Sequence, residues 1–208
     1  WNPVCNASMA FAAITAYEQD PELARQIIAR SIRLVREVGL PEYAPDGNYP
    51  EGYTYWNYGT AYAVMLIDAL EGVYGTSFGL ADVPGFLRTP EYILQMSTQG
   101  LGCWAYADCT AQDPQSMRNS YPMFWFAART GNPSLLWAEK QKIDDMIRSG
   151  AKSRMYGVRY LPSVMLWAAE KPFEGMEAPR QRLYVGQGTT PVAIMRNLSL
   201  IHISEPTR

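Results

Sequence analysis

Apolar positions recur at helical spacing through most of the chain, and a repeated punctuation introduces the runs. Asp20-Pro21-Glu22, Thr89-Pro90-Glu91 and Asn132-Pro133-Ser134 each set a capping side chain directly before a proline. Such a pair opens helices, because the cap accepts an orphan backbone N–H and proline lacks the N–H that would go unbonded. After the first pair, Leu23, Ile27, Leu34, Val35 and Val38 mark one apolar face, while Arg25, Arg30, Arg33 and Arg36 cover the other. Gly39 is the expected stop. After the third pair, Leu135, Leu136, Ala138, Ile143 and Ile147 are expected to be buried, and Gly150 to end the helix. Residues 4–17, 55–74, 90–99, 116–129 and 160–170 read as further helices. The runs 9–16 and 61–70 are apolar nearly all round, which predicts burial between neighbours. Met123-Phe124-Trp125-Phe126 has helical context and reads as core. Roughly seven helices joined by long, aromatic-bearing loops predict helix pairs stacked around a ring, since four-helix bundles use shorter connections.

The period changes after residue 172. Residues 171–180 are polar and hold Pro172 and Pro179, and residues 182–196 read as a strand, a glycine turn and a second strand. A lone hairpin is not stable by itself. The expected organisation is therefore a helical domain over 1–172, a linker over 173–181 and the opening of a β domain over 182–197.

Composition narrows the function classes. Of 208 residues, 48% are hydrophobic, 12% aromatic and 18% charged, a globular balance with a net charge of −2. With no Lys/Arg tract, nucleic acid is not an expected partner. No apolar run approaches the roughly 20 residues of a membrane span. Cys5, Cys103 and Cys109 lack CxxC spacing and read as buried thiols, with a Cys103–Cys109 bridge as the alternative. Residues 198–208 resemble a translated sequencing adapter, and the single histidine, His202, falls there. The rest of the chain offers no imidazole, and neither a metal site nor a cofactor is expected. Trp1 is preceded by no targeting segment, which is expected to be missing from this chain.

The candidate chemistry concentrates in residues 45–59, which hold four tyrosines, one tryptophan, two carboxylates and three glycines. Glycine and proline shape an irregular loop there. Tyrosine and tryptophan on such a loop suit stacking on sugar rings and carry phenols able to move protons. The same aromatics equally describe a plug over a helical core. Tyr55 and Tyr62 flank Tyr58 at i−3 and i+4, so the three share a helix face, with Tyr58 at the helix entrance and Trp56 in the loop leading to it. Trp104, Tyr106 and Asp108 lie in a second long loop, residues 100–115, the aromatics as sugar-stacking candidates and Asp108 as a cap of the next helix before a hydroxyl-binding residue. Asp46 and Glu51 form a carboxylate pair of the kind that drives glycoside hydrolysis, although Asp46-Gly47 is also an ordinary turn.

Four stretches together resemble one family. Trp1-Asn2-Pro3-Val4-Cys5-Asn6, the run from Asp46-Gly47 to Tyr58-Gly59, Tyr106-Ala107-Asp108-Cys109, and residues 183–195 resemble heparinase II/III-like polysaccharide lyases of the Bacteroidetes type, in order and spacing over residues 1–197. The resemblance implies an incomplete (α/α) toroid followed by an antiparallel β-sandwich, with a glycan cleft between them, in a protein exported to the periplasm or cell surface. It implies β-elimination on a uronate-containing polysaccharide, with a phenol as base or acid and an amide or imidazole neutralising the carboxylate.

On that resemblance, Tyr58 matches the catalytic phenol and Asn2 the carboxylate-binding position, 56 residues earlier, with Asn6 as its rival. Tyr55, Trp56, Trp104, Tyr106 and Asp108, read from the residues themselves, are the candidate substrate contacts. A helix N-cap is the competing reading of Asn2. Trp1-Asn2 departs from relatives that carry Asn or His in tandem. The family's histidine and further tyrosine would follow residue 197, so the 208-residue chain alone is expected to be inactive. A hydrolase using Asp46 and Glu51, or a glycan-binding protein without catalysis, are the other functions open at this stage.

Overall fold

A computed structural model describes residues 1–98, 102–109, 120–150, 161–168 and 173–195. Among these the protein is mainly helical, with seven α-helices and one small antiparallel sheet. The helices are α1 (Asn2–Thr15), α2 (Pro21–Leu34), α3 (Gly52–Tyr74), α4 (Thr89–Met96), α5 (Pro122–Thr130), α6 (Trp137–Ser149) and α7 (Leu161–Trp167). The strands are β1 (Leu183–Gly186) and β2 (Val192–Met195).

α1 packs against both α2 and α3. Its buried side is built from small residues, Ala7, Ala10 and Ala13, which lets neighbouring backbones come close. The Asp20 carboxylate caps α2 as its sequence requires, accepting from the Leu23 N–H at 3.1 Å. The buried stripe of α2 is nevertheless Ala24, Ile28 and Ser31, continuing to Val35, whereas Leu23 and Val38 are exposed. The expected apolar face is rotated: α2 packs on the alanine-lined α1 with the small Ala24 and Ser31 buried and Leu23 in solvent. Past α2 the chain widens into a π-turn, Val35–Gly39, and then tightens into a 3₁₀ turn, Leu40–Tyr43. A Cβ at Gly39 would stand 2.6 Å from Asn2 Oδ1, so only glycine lets the start of α1 rest there.

α3 is the central element, with Val64, Leu66, Ile67 and Leu70 fully buried. It begins at Gly52, three residues before the expected start at 55, so Trp56 is a helical and not a loop residue. Gly52 has φ +77°, and the Tyr106 carbonyl oxygen occupies the space a Cβ would need. At α4, Thr89 is the first helical residue and makes no N-cap bond; its hydroxyl accepts from Trp56 Nε1 at 2.7 Å and donates to the Gly47 carbonyl at 2.6 Å. Met123, Phe124, Trp125 and Phe126 of α5 are core, as their context predicted. The proposed start of that helix at 116–119 lies outside the described residues, as do residues 160 and 169–170.

Asn132 caps the turn that leads into α6, accepting from the Ser134 N–H at 3.1 Å, and Gly150 ends that helix. Here the expected core is corrected: Ile147 is 72% exposed, while Glu139 and Lys142 are buried. The Lys142 ammonium donates to Glu139 at 2.6 Å and to the Tyr53 hydroxyl at 2.9 Å; Tyr53 pairs with Ser120 Oγ at 2.7 Å, and the Ser120 N–H donates to Glu139 at 2.9 Å. Every charge in this buried cluster has a counter-charge and hydrogen bonds, the condition for leaving water.

β1 pairs antiparallel with β2, Leu183 opposite Met195 and Gly186 opposite Val192. The hairpin is seated on the helical layer. Tyr184 is buried with its ring 6.2 Å from that of Tyr92 on α4; Asn48 Nδ2 donates to the Thr190 carbonyl at 2.7 Å, and the Gln187 N–H donates to Asp46 at 2.9 Å. Among the described residues, no helix is long and apolar enough to cross a membrane.

Candidate functional site

The segment before α3 turns its aromatics inward. Tyr43 and Tyr49 stack at 5.2 Å, Tyr43 shares a 2.8 Å hydrogen bond with Thr60, and the Tyr49 hydroxyl donates to Glu51 at 3.0 Å. Burial, with the Thr60 bond opposing it, lifts the Tyr43 phenol well above the usual tyrosine range. Burial, the Tyr43 phenol and the Glu51 carboxylate lift Tyr49 likewise. Burial also raises Tyr53, against the pull of the Lys142 cation. These phenols stay protonated and enclosed. Of the two readings of the aromatic segment, its Tyr49, Tyr53 and Trp56 take the core plug.

Two sequence candidates are corrected by this geometry. Trp56 is completely buried, its indole N–H spent on Thr89, so no sugar can stack on it. The oxygens of Asp46 accept from the Asn48 and Gln187 N–H groups, so the carboxylate holds a turn and anchors the hairpin. Glu51 is half-buried and engaged by Tyr49. The carboxylate pair is thus built into the loop's own bonding.

A partly exposed strip lies on α3, with Tyr58 exposed and Thr54 and Tyr62 half-buried. Thr54, Tyr58 and Tyr62 follow at four-residue intervals and therefore share a face. Tyr58 is 37% exposed, with its ring edge-on to Tyr62 at 5.5 Å and to Trp1 at 6.0 Å. The Trp1 contact brings the start of α1 to the side of Tyr58, and Trp1 itself is 73% exposed. At the other end of the strip, the Thr54 hydroxyl meets Cys109 Sγ at 3.2 Å, seating loop 102–109 one turn before Tyr58. Trp104 in that loop is 47% exposed, and Asp108 is exposed too. Whether Asp108 caps a helix depends on residues 110–119, outside those described. Tyr106 turns its hydroxyl into the protein, where that oxygen is buried and makes no hydrogen bond, so this phenol is no open platform. Tyr55 is half-buried and packs against the core.

Asn2 is the first residue of α1, not its N-cap; that position belongs to Trp1 and carries no side-chain cap bond. Its Oδ1 is buried beneath Gly39 without a hydrogen bond, leaving the amide nitrogen as the half with the donors a carboxylate requires. Asn6, its rival in the sequence, is buried and donates its amide to the Asn2 carbonyl at 2.9 Å. Sequence reasoning overlooked Thr54 as the seat of loop 102–109 and Lys142 as the buried partner of Tyr53. Only the polar pair at i and i+3 on an otherwise apolar side of α6 hinted at the latter. Among the described residues, no group of three His, Cys, Asp or Glu could hold a metal ion.

Fold and site together define a mainly helical protein with a docked hairpin and a partly exposed tyrosine strip on α3 bordered by Trp1. In comparisons with known proteins, no family model and no curated sequence matches the chain.

Proposed function

We propose that the chain is the helical part of a polysaccharide lyase that cleaves a uronate-containing glycan by β-elimination. In this reading α1–α7 belong to an incomplete (α/α) toroid, β1 and β2 open an antiparallel β-sandwich, and the protein works in the periplasm or at the cell surface. The observation that carries the reading is the packing of Trp1 on Tyr58, which gathers an exposed phenol, the Asn2 helix start and an open indole at one end of α3.

The reaction removes the proton on C5, alpha to the sugar carboxylate, and expels the 4-linked glycosidic oxygen. Charge accumulates on the carboxylate as the proton leaves, so a donor fixed against that group stabilises the enolate-like intermediate. Asn2 supplies the donor and Tyr58 exchanges the proton. An unperturbed phenol has a pKa of about 10, so Tyr58 needs neighbours that stabilise its phenolate. The reading assigns those neighbours to sequence following residue 197. The engagement of Asp46 and Glu51 within their own loop weighs against a hydrolase. The exposed indoles Trp1 and Trp104 also suit a binding protein without catalysis.

The test follows the 4,5-unsaturated uronate by its ultraviolet absorbance, over a panel of uronate polymers. The chain alone is expected to form none. Joined to its natural downstream sequence it should form product, and Tyr58→Phe should abolish product while glycan binding persists. Undiminished turnover by Tyr58→Phe would overturn the role of Tyr58. Binding without product from the extended wild type would establish the non-catalytic alternative.

A further inference from the structure

Cys103 and Cys109 are the two buried thiols of the protein, and their sulfurs stand 3.5 Å apart. Each is held in place by its own neighbours. Cys103 forms an isolated antiparallel bridge with Ser97, flanked by the Thr98 N–H on the Gly102 carbonyl at 2.8 Å and the Trp104 N–H on the Met96 carbonyl at 3.0 Å. Cys109 is fixed by a turn, its N–H donating to the Tyr106 carbonyl at 3.0 Å, and by Thr54 on α3. The loop between them also closes over Gly52, where the Tyr106 carbonyl and the Cys109 Cβ fill the space beside the start of α3. The two thiols are in van der Waals contact on backbones restrained from both sides, and a bond requires their sulfurs to close from 3.5 Å to about 2.0 Å.

We propose that Cys103 and Cys109 are a disulfide-forming pair that closes the loop bearing Trp104, Tyr106 and Asp108 against the N-terminus of α3. The inference is independent of the lyase reading. In the reaction one cysteine thiolate attacks a low-molecular-weight disulfide, releasing one thiol. The second cysteine then attacks the mixed disulfide and releases the other. One S–S bond forms in the protein and one breaks in the oxidant, with two electrons and two protons passing to the two released thiols. Cys5, exposed on α1, takes no part. The closed ring spans few residues, so its effect lies in fixing loop geometry: Trp104 and Asp108 stay outward while Tyr106 stays pinned inward.

The experiment treats the full chain with oxidised glutathione, denatures it in acid, alkylates every remaining thiol and maps tryptic peptides. One peptide, residues 89–118, holds both cysteines. It is expected to be lighter by two hydrogens and unalkylated, while Cys5 is alkylated or carries glutathione. Alkylation of both Cys103 and Cys109, a glutathione on each, or a bond from either to Cys5 would overturn the proposal. As a second readout, the Cys5→Ser variant should show a higher melting temperature oxidised than reduced. Cys103→Ala should show no such difference. Should Cys103→Ala fail to fold, the wild-type peptide map decides alone.

Discussion

Tyr53, Trp56 and Tyr58 stand within two turns of α3 and meet opposite fates, because a helix turns about 100° per residue. The first two face the core and the third faces out. The bond from Trp56 Nε1 to Thr89 and the bond from Thr89 to the Gly47 carbonyl tie α3, α4 and the loop before α3 through one hydroxyl. Thr89→Val keeps the shape and strands an indole N–H and a carbonyl in the core. It is expected to cost about 1–3 kcal/mol in urea denaturation, each stranded group losing its partner without regaining water. Thr89→Ser should recover most of that loss. Tyr58→Phe keeps the ring that stands edge-on to Trp1 and Tyr62, and its denaturation is measured beside its turnover so that a folding defect is separated from a catalytic one. A large stability loss from Tyr58→Phe would mean that the hydroxyl serves the fold.

At the scale of elements, α6 carries a buried ion pair, Glu139–Lys142, bonded to Tyr53 of α3. Burial pulls the Lys142 ammonium toward neutrality, but the Glu139 carboxylate and the Tyr53 phenol outweigh it and hold the amine above its ordinary range. Removing one member leaves the other as an uncompensated buried charge. Lys142→Met or Glu139→Leu alone is therefore expected to destabilise by about 3–5 kcal/mol, and the double variant by much less than the sum of the two. Additive losses in chemical denaturation would show that the two side chains do not act as a pair. The hairpin depends on its neighbours in the same way. β1 and β2 are too short to stand alone and draw on Asp46, Asn48 and Tyr92 for their place.

For the whole molecule, the enclosed phenols dictate an alkaline limit. Burial raises Tyr92 and Tyr184 as it raises Tyr43, Tyr49 and Tyr53. Each folded pKa lies above the unfolded value of about 10, so the unfolded chain releases protons that the folded chain keeps. Their contribution is complete below about pH 10 and is lost as pH climbs toward the folded values; Lys142, raised from about 10.4, acts in the same sense. Stability should therefore fall steeply above about pH 10. The tyrosinate absorbance of these side chains should appear together with the loss of helical circular dichroism. Smooth ionisation of all the tyrosines over an intact helical spectrum would contradict their burial.

The sequence alone determined what local physics controls. Asp20 and Asn132 cap where a short acceptor precedes proline, Gly150 stops α6, Met123 to Phe126 form core, and the period of two after residue 182 makes a hairpin. These outcomes depend on a residue and its near neighbours in the chain. The tertiary structure decided everything set by a distant surface. It rotated the buried stripe of α2 to suit the alanines of α1, and it started α3 at Gly52, where loop 102–109 closes over it. It buried Glu139 and Lys142 because Tyr53 and Ser120 stood ready to bond them, leaving Ile147 in solvent. It drew Trp56 into the core and Asp46 into the hairpin's anchor, and it left Tyr58 partly exposed beside Trp1. No periodicity encodes these choices, because each is a match between two surfaces, and a one-dimensional pattern carries only one of them.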